Sequence, residues 1–225
     1  MNSLLDKLCG KDNWVAYCIN LERAEDRRKM FEDFAKKIDL EFTFFKAVDK
    51  LDLQAPYEYQ TQVANKFCIG ALACRLSHRN LLTHFLQNHK EEYLFVFEDD
   101  ANFSPSDSIG FGKNSKYQTK ENLFDFMNSV IEAKHISWDS IFFALCYSNT
   151  IPIHKNIVRV LQTDLTHAML FNRKASTLLM SLHKNPQLLT KTADFLTAIL
   201  QKNSIAIAPP QTLIDQGDTK SYIWR

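Results

Sequence analysis

The stretch "YLFVFEDDANFSP", residues 93–105, decides the fold: Tyr93 to Phe97 are five bulky apolar residues in a row, and they run straight into Glu98, Asp99 and Asp100. An apolar run of this length bounded by polar residues fits a strand covered on both faces, the usual state of a central strand in an α/β sheet. Three carboxylates then stand at its C-terminal end, where open α/β sheets bind their ligands. Adjacent acids in such a place raise one another's pKa unless positive charge shares the site. A divalent cation with oxygen ligands, Mg²⁺ or Mn²⁺, is the simplest such partner, and it completes its shell with substrate phosphates and water. If the strand stays extended, Glu98 and Asp100 point one way and Asp99 the other. The metal ligands are then Glu98 and Asp100, and Asp99→Asn is the better tolerated change. The competing reading makes the acids a helix cap or a solvated turn, since Asp is favoured in both.

Upstream, "WVAYCINL" (14–21) reads as a buried strand and "ERAEDRRKMFEDFAKKIDL" as a helix, with Met30, Phe31, Phe34, Ala35 and Ile38 at helical spacing. "EFTFFKAVD" reads as a second strand. A polar stretch with Pro56 leads to a helix over "IGALACRLSHRNLLTHFLQNH" (69–89). Downstream, "SPSDSIGFGKNSKYQTK" reads as an exposed loop and "ENLFDFMNSVIEA" as a helix. "SIFFALCY" reads as one buried strand, followed by strands in "NIVRVLQ" and "THAMLFN". Helices in "RKASTLLMSLHK" and "PQLLTKTADFLTAILQK" come next, and Pro209-Pro210 break a last strand in "SIAIAPPQTLI". Strands alternating with helices predict an α/β fold, a mixed and mostly parallel central sheet flanked by helices. The 225 residues suffice for one domain.

Composition narrows the function classes. Apolar residues make up 45% and charged residues 24%, as in a folded chain. The net charge of +1 gives no reason to expect nucleic acid as partner. Residues 151–225 hold nine Lys/Arg against four Asp/Glu, a surplus compatible with a solvated surface or with attraction to anionic lipid. Five cysteines without regular spacing read as reduced, buried thiols of a cytoplasmic protein, and no segment approaches the length of a membrane span.

Several ordered pieces together resemble glycosyltransferase family 25, the bacterial lipopolysaccharide and lipooligosaccharide biosynthesis transferases. The family's opening strand and helix look like "CINLERAEDRR", its next strand like "FFKAVD", its Gly, Cys and Ser-His helix like "IGALACRLSHRN", and its acidic motif like "FVFEDDANF". Weaker echoes are "WDSIFFA", "THAMLFNRKAS" and "TADFL". Lys50 departs from the glycine that usually follows the family's Ala-Val-Asp. The resemblance runs from about residue 14 to residue 200. It implies a GT-A-type nucleotide-sugar-binding fold, residues 1–105 forming the donor half and 106–225 the acceptor half. It further implies an inverting, metal-dependent transferase with a UDP-sugar donor, often UDP-galactose, and a lipid-linked oligosaccharide acceptor at the inner face of the membrane. Asn20, Arg23, Arg27, Ser77, His78, Glu98 and Asp99 are the candidates for the donor site. Asp194 in "TADFL" is the candidate base, as the single carboxylate between residues 165 and 214. His167 is placed on the acceptor side or in the metal shell, and Arg28, His84 and His89 on the solvated surface. A non-catalytic relative that binds nucleotide sugar or glycan as a partner subunit, and a metal-dependent phosphoesterase, are the competing functions.

Overall fold

The computed structural model describes residues 1–53, 66–103, 118–164 and 166–216. Most of the loop read at 104–120 and the stretch around Pro56 lie outside these residues. One eight-stranded sheet organises them, in the order β2-β1-β3-β8-β5-β9-β7-β6. The strands are β1 (Trp14–Asn20), β2 (Thr43–Lys46), β3 (Tyr93–Glu98), β5 (Ser140–Phe142), β6 (Cys146–His154), β7 (Ile157–Asp164), β8 (Ala168–Asn172) and β9 (Ala206–Ala208). Strands β7 and β8 run against the other six, so the sheet is mixed with one dominant direction. A short β4 (Ala101–Asn102) pairs separately with β10 (Asp215–Gln216).

The register brings the site together. β1 lies parallel to both β2 and β3, with Asn20 opposite Lys46 and Ile19 opposite Glu98, so the carboxyl ends of three strands stand level. Antiparallel β8 starts at that same edge, Ala168 facing Phe97, and the Glu98 N–H donates to the His167 carbonyl at 3.0 Å. Residues 166 and 167, far from the acidic run in sequence, therefore arrive beside it.

Side chains of β3 alternate between two cores. Phe95 and Phe97 join Ala16 and Cys18 on one face, under helices α1 (Asn2–Cys9), α2 (Glu25–Ile38) and α4 (Lys120–Glu132). Leu94 and Val96 join Tyr17 and Ile19 on the other, under α3 (Lys66–Asn88), α5 (Arg173–Lys184) and α6 (Ala193–Asn203). Burial on both faces is why the run carries no polar alternation. Each fully buried Phe contributes about 1.5–3 kcal/mol, so this strand anchors the three layers.

Two local readings need correction, and two elements had no reading at all. "SIFFALCY" is two strands: the chain leaves the sheet after Phe142, where Leu213 and Ile214 donate to the Phe143 carbonyl, and re-enters at Cys146. Exposed β6 escapes an apolar-pattern search because its outer face carries polar residues together with Tyr147, Ile151 and Ile153. "PQLLTKTADFLTAILQK" holds a short 3₁₀ turn at Pro186–Leu188 and then α6, which starts only after Thr192 accepts from the Phe195 N–H at 3.2 Å. The N-terminal residues form α1, whose Leu4 and Leu5 are buried. No helix among the described residues is long and apolar enough to cross a membrane.

Candidate active site

Strand β3 ends at Glu98, and Asp99–Asp100 form a turn before β4. This overturns the expected split of the triplet, because the two-residue alternation holds only while the backbone is extended. Asp99 and Asp100 instead share one cation: Arg27 donates from Nη1 to Asp99 Oδ1 at 2.8 Å and from Nη2 to Asp100 Oδ2. Arg27 sits on the first turn of α2 and is 8% exposed, so this bidentate bridge is buried. Asn20 at the end of β1 donates to Asp99 Oδ2 at 2.8 Å and accepts from Arg28 Nε at 3.2 Å. The Arg28 guanidinium also stacks 4.2 Å from the Phe44 ring, so it packs against the fold rather than being solvated.

Glu98 belongs to a second group. Its Oε1 lies 2.9 Å from His78 Nε2, 2.6 Å from Thr166 Oγ1 and 3.8 Å from Cys74 Sγ. Thr166 Oγ1 is also 3.3 Å from Asp194 Oδ1. Asp194 is thus brought into the site from the other half of the chain. Helix capping is left to Thr192, and Asp194 lies in the first turn of α6. Arg75 of α3 holds this approach in place: its guanidinium donates to the carbonyls of Leu188, Leu189, Lys191 and His183. Nothing in the local sequence distinguished Arg75 from a surface arginine of a helix.

These contacts set the protonation of the acids. Burial pushes Glu98 up, but the hydrogen bond and charge of His78 together with the Thr166 hydroxyl bring it down to about 2. Burial dominates at Asp99 and, against the pull of Arg27, raises it to about 7. Asp100 is also raised by burial. The pair beside Arg27 therefore holds protons more readily than Glu98 does.

A cavity of about 80 Å³ opens beside these groups, lined by Arg23, Arg27, Asp49, Cys74, His78 and Glu98 among others. Asp100 and Asp194 join it indirectly, through Arg27 and Thr166. Arg23 forks onto Asp49, with Nη2 3.2 Å from Oδ1, which pulls Asp49 below the usual carboxylate range. Asp49 escaped the reading of single residues, although it closes the quoted "FFKAVD". Ser77 serves the fold at this wall, accepting from the Val48 N–H and donating to the Ala73 carbonyl, both at 2.8 Å. His84 and His89 lie elsewhere and are not solvated: both Nε2 atoms approach the Tyr17 hydroxyl, at 3.2 and 2.8 Å.

The donor set can be tested against a divalent cation. His167, 1% exposed, has an Nε2 without a hydrogen-bond partner among the described residues and lies within electrostatic reach of both Glu98 and Asp100. Carboxylate oxygen and imidazole nitrogen are donor types that such an ion accepts.

The model of "Glycosyltransferase family 25 (LPS biosynthesis protein)" matches residues 14–177. A "Glycosyltransferase 25 family member" of Drosophila pseudoobscura pseudoobscura is 30% identical over 105 residues, covering 40% of this chain and 16% of the relative's own length. Among solved structures, A197 from STIV overlays with a TM-score of 0.42 at 12% identity, over 92% of this chain and 95% of that one. A glycosyltransferase involved in glycosylation of the major capsid of PBCV-1 overlays with a TM-score of 0.33 at 8% identity, over 77% and 68%.

Proposed function

Because the chain belongs to glycosyltransferase family 25, whose model spans residues 14–177, we propose that its strand-end cleft transfers a sugar from a uridine diphosphate donor to an oligosaccharide acceptor. Family membership supports glycosyl transfer in general. The finer reading is an inverting transfer, of galactose by resemblance, onto a lipid-linked lipopolysaccharide or lipooligosaccharide core at the cytoplasmic face of a membrane. The observation that carries it is the pairing of two carboxylate groups at one sheet edge, Asp99–Asp100 on Arg27 and Glu98 on His78, with Asp194 reached through Thr166.

Roles follow from this arrangement. Asn20, Arg23, Arg27, Ser77, His78 and Asp99 shape the donor side, Arg23 and Arg27 supplying positive charge and Ser77 fixing the loop after β2. Glu98, Asp100 and His167 Nε2 are the groups that would hold Mn²⁺ or Mg²⁺. When bound, such a cation neutralises charge that develops on the leaving diphosphate. Inversion by a single displacement needs a base on the face opposite the leaving group. Asp194 takes the acceptor hydroxyl's proton, and once protonated it can donate to Thr166 Oγ1, whose own proton rests on Glu98. The positive surplus of residues 151–225 supports a peripheral approach to an anionic membrane surface.

A mass-spectrometric screen of UDP-galactose, UDP-glucose and their N-acetyl forms against truncated lipooligosaccharide acceptors tests the reading. The expected result is one added sugar in the presence of Mn²⁺ or Mg²⁺, lost with chelator and in Asp100→Ala. Binding of UDP-sugar with no transfer to any acceptor would establish a non-catalytic relative instead. Release of phosphate or nucleoside monophosphate would establish a phosphoesterase.

A further inference from the structure

We propose that Cys74, His78 and Glu98 form a second cation site, one that takes a borderline-soft divalent ion, Zn²⁺ or its cobalt analogue, rather than Mg²⁺ or Mn²⁺. Cys74 and His78 are four residues apart on α3, hence one turn apart on the same face, and Glu98 reaches them from the end of β3. Sγ, Nε2 and Oε1 all lie within 4.8 Å of one another. Two of the edges are 2.9 and 3.8 Å. A tetrahedral zinc with S, N and O ligands has edges of about 3.4–3.6 Å. With the third edge no longer than 4.8 Å, shifts of under an ångström per atom complete three corners.

All three residues line the cleft cavity, so the fourth corner faces space that a water or an anionic ligand can enter. Three protein ligands and one open position are the pattern of an exchangeable zinc site rather than a closed structural one. Occupancy displaces one proton: the Cys74 thiol proton leaves to solvent, while neutral His78 carries its ring proton on Nδ1 and so frees Nε2 for the ion. A thiolate selects against hard cations, which separates this site from the oxygen-rich group around Asp100. Both groups draw on Glu98, so an ion here withdraws that carboxylate from the other set. Among the described residues no other three His, Cys, Asp or Glu side chains converge in this way.

The experiment uses the whole chain and cobalt(II) chloride alone, with no sugar donor or acceptor. The expected result is a near-ultraviolet thiolate-to-cobalt absorption band that saturates at one ion per chain and is displaced by one equivalent of zinc chloride. Cys74→Ser abolishes the band, Cys146→Ser keeps it, and His78→Ala weakens zinc binding by at least about tenfold. A readout without any variant is alkylation: zinc protects Cys74 in the unmodified chain, identified by peptide mass. Absence of the band, its persistence in Cys74→Ser, or equal alkylation of Cys74 with and without zinc would overturn the site. This result is separable from the proposed transfer, since it is read on the protein and metal alone. Turnover without the cobalt band leaves the transferase reading intact, and the band without turnover leaves the cation site intact.

Discussion

The Thr166 hydroxyl stands 2.6 Å from Glu98 Oε1 and thereby connects the end of β3 with the residue that enters β8. Its one proton can serve one acceptor, and ionised Glu98 is the nearer. The 3.3 Å approach to Asp194 is then favourable when Asp194 carries a proton that it can donate. Thr166→Val keeps the shape and removes the link. Transfer should fall about 10- to 100-fold in kcat, the worth of about 1.4–2.7 kcal/mol, with donor KM changed little. Thr166→Ser should recover most of the rate. A shape-only role for residue 166 would reverse that order, with valine active and serine impaired.

Arg27 bridges Asp99 and Asp100, and its removal leaves two buried acids side by side without that bridge. Arg27→Ala should lower unfolding free energy by about 3–5 kcal/mol at pH 8. Urea unfolding checks this. The loss should shrink at pH 6, where Asp99 can escape by taking a proton. A loss that is the same at both pH values would mean that Arg27 matters for packing and not for the acids.

Asp99 gives a pH signature of its own. Its folded pKa, about 7, lies above the ordinary 3.8, so its contribution to stability is present in full below pH 3.8 and is lost as pH rises through 7. Asp99→Asn holds a neutral side chain at every pH. The variant should therefore gain on the unmodified chain between pH 4 and pH 7, by a span on the order of 4 kcal/mol, even though it forfeits part of the Arg27 contact. Thermal unfolding of both proteins across this range measures it, and two parallel curves would contradict the buried assignment.

The uneven legibility of the site follows from where its residues sit. Glu98 could be placed because a buried strand announces its own end, and Arg27 because it follows the first strand by a few residues. The split of the triplet was misread because an alternation rule says nothing about where extension stops. A turn at Asp99–Asp100 reverses which acids share a partner. Thr166 and Arg75 could not be found at all. Thr166 matters only because β8 pairs antiparallel with β3, and Arg75 only because four carbonyls of a distant turn face it. Both facts belong to strand order and helix packing, which a periodic pattern in one segment does not encode. The same holds for the fold: the β-α-β start was legible because each piece is locally amphipathic or locally buried. The strand β6, exposed along nearly its whole length at the sheet edge, was not.

His183 extends this reasoning to acid stability. It is 2% exposed on α5, where burial, then the charges of His78, Arg75 and Arg79, bring its pKa down from 6.5 to about 3. A histidine lowered in the folded state stabilises the protein above pH 6.5, and the contribution is lost as pH falls towards 3, because the unfolded chain takes the proton first. In a histidine NMR titration its ring signals should stay at their neutral positions throughout pH 4–8. His183→Asn, neutral at all pH values, should flatten the loss of thermal stability between pH 6.5 and pH 4 relative to the unmodified chain. The consequence reaches the site, because the His183 carbonyl is one of the four that hold Arg75, at 3.0 Å, and Arg75 fixes the turn leading to Asp194. Acid should therefore loosen residues 186–192 before the β1–β3 core. Hydrogen exchange at pH 4.5 would show protection lost first in that turn, and simultaneous loss across the sheet would refute the link.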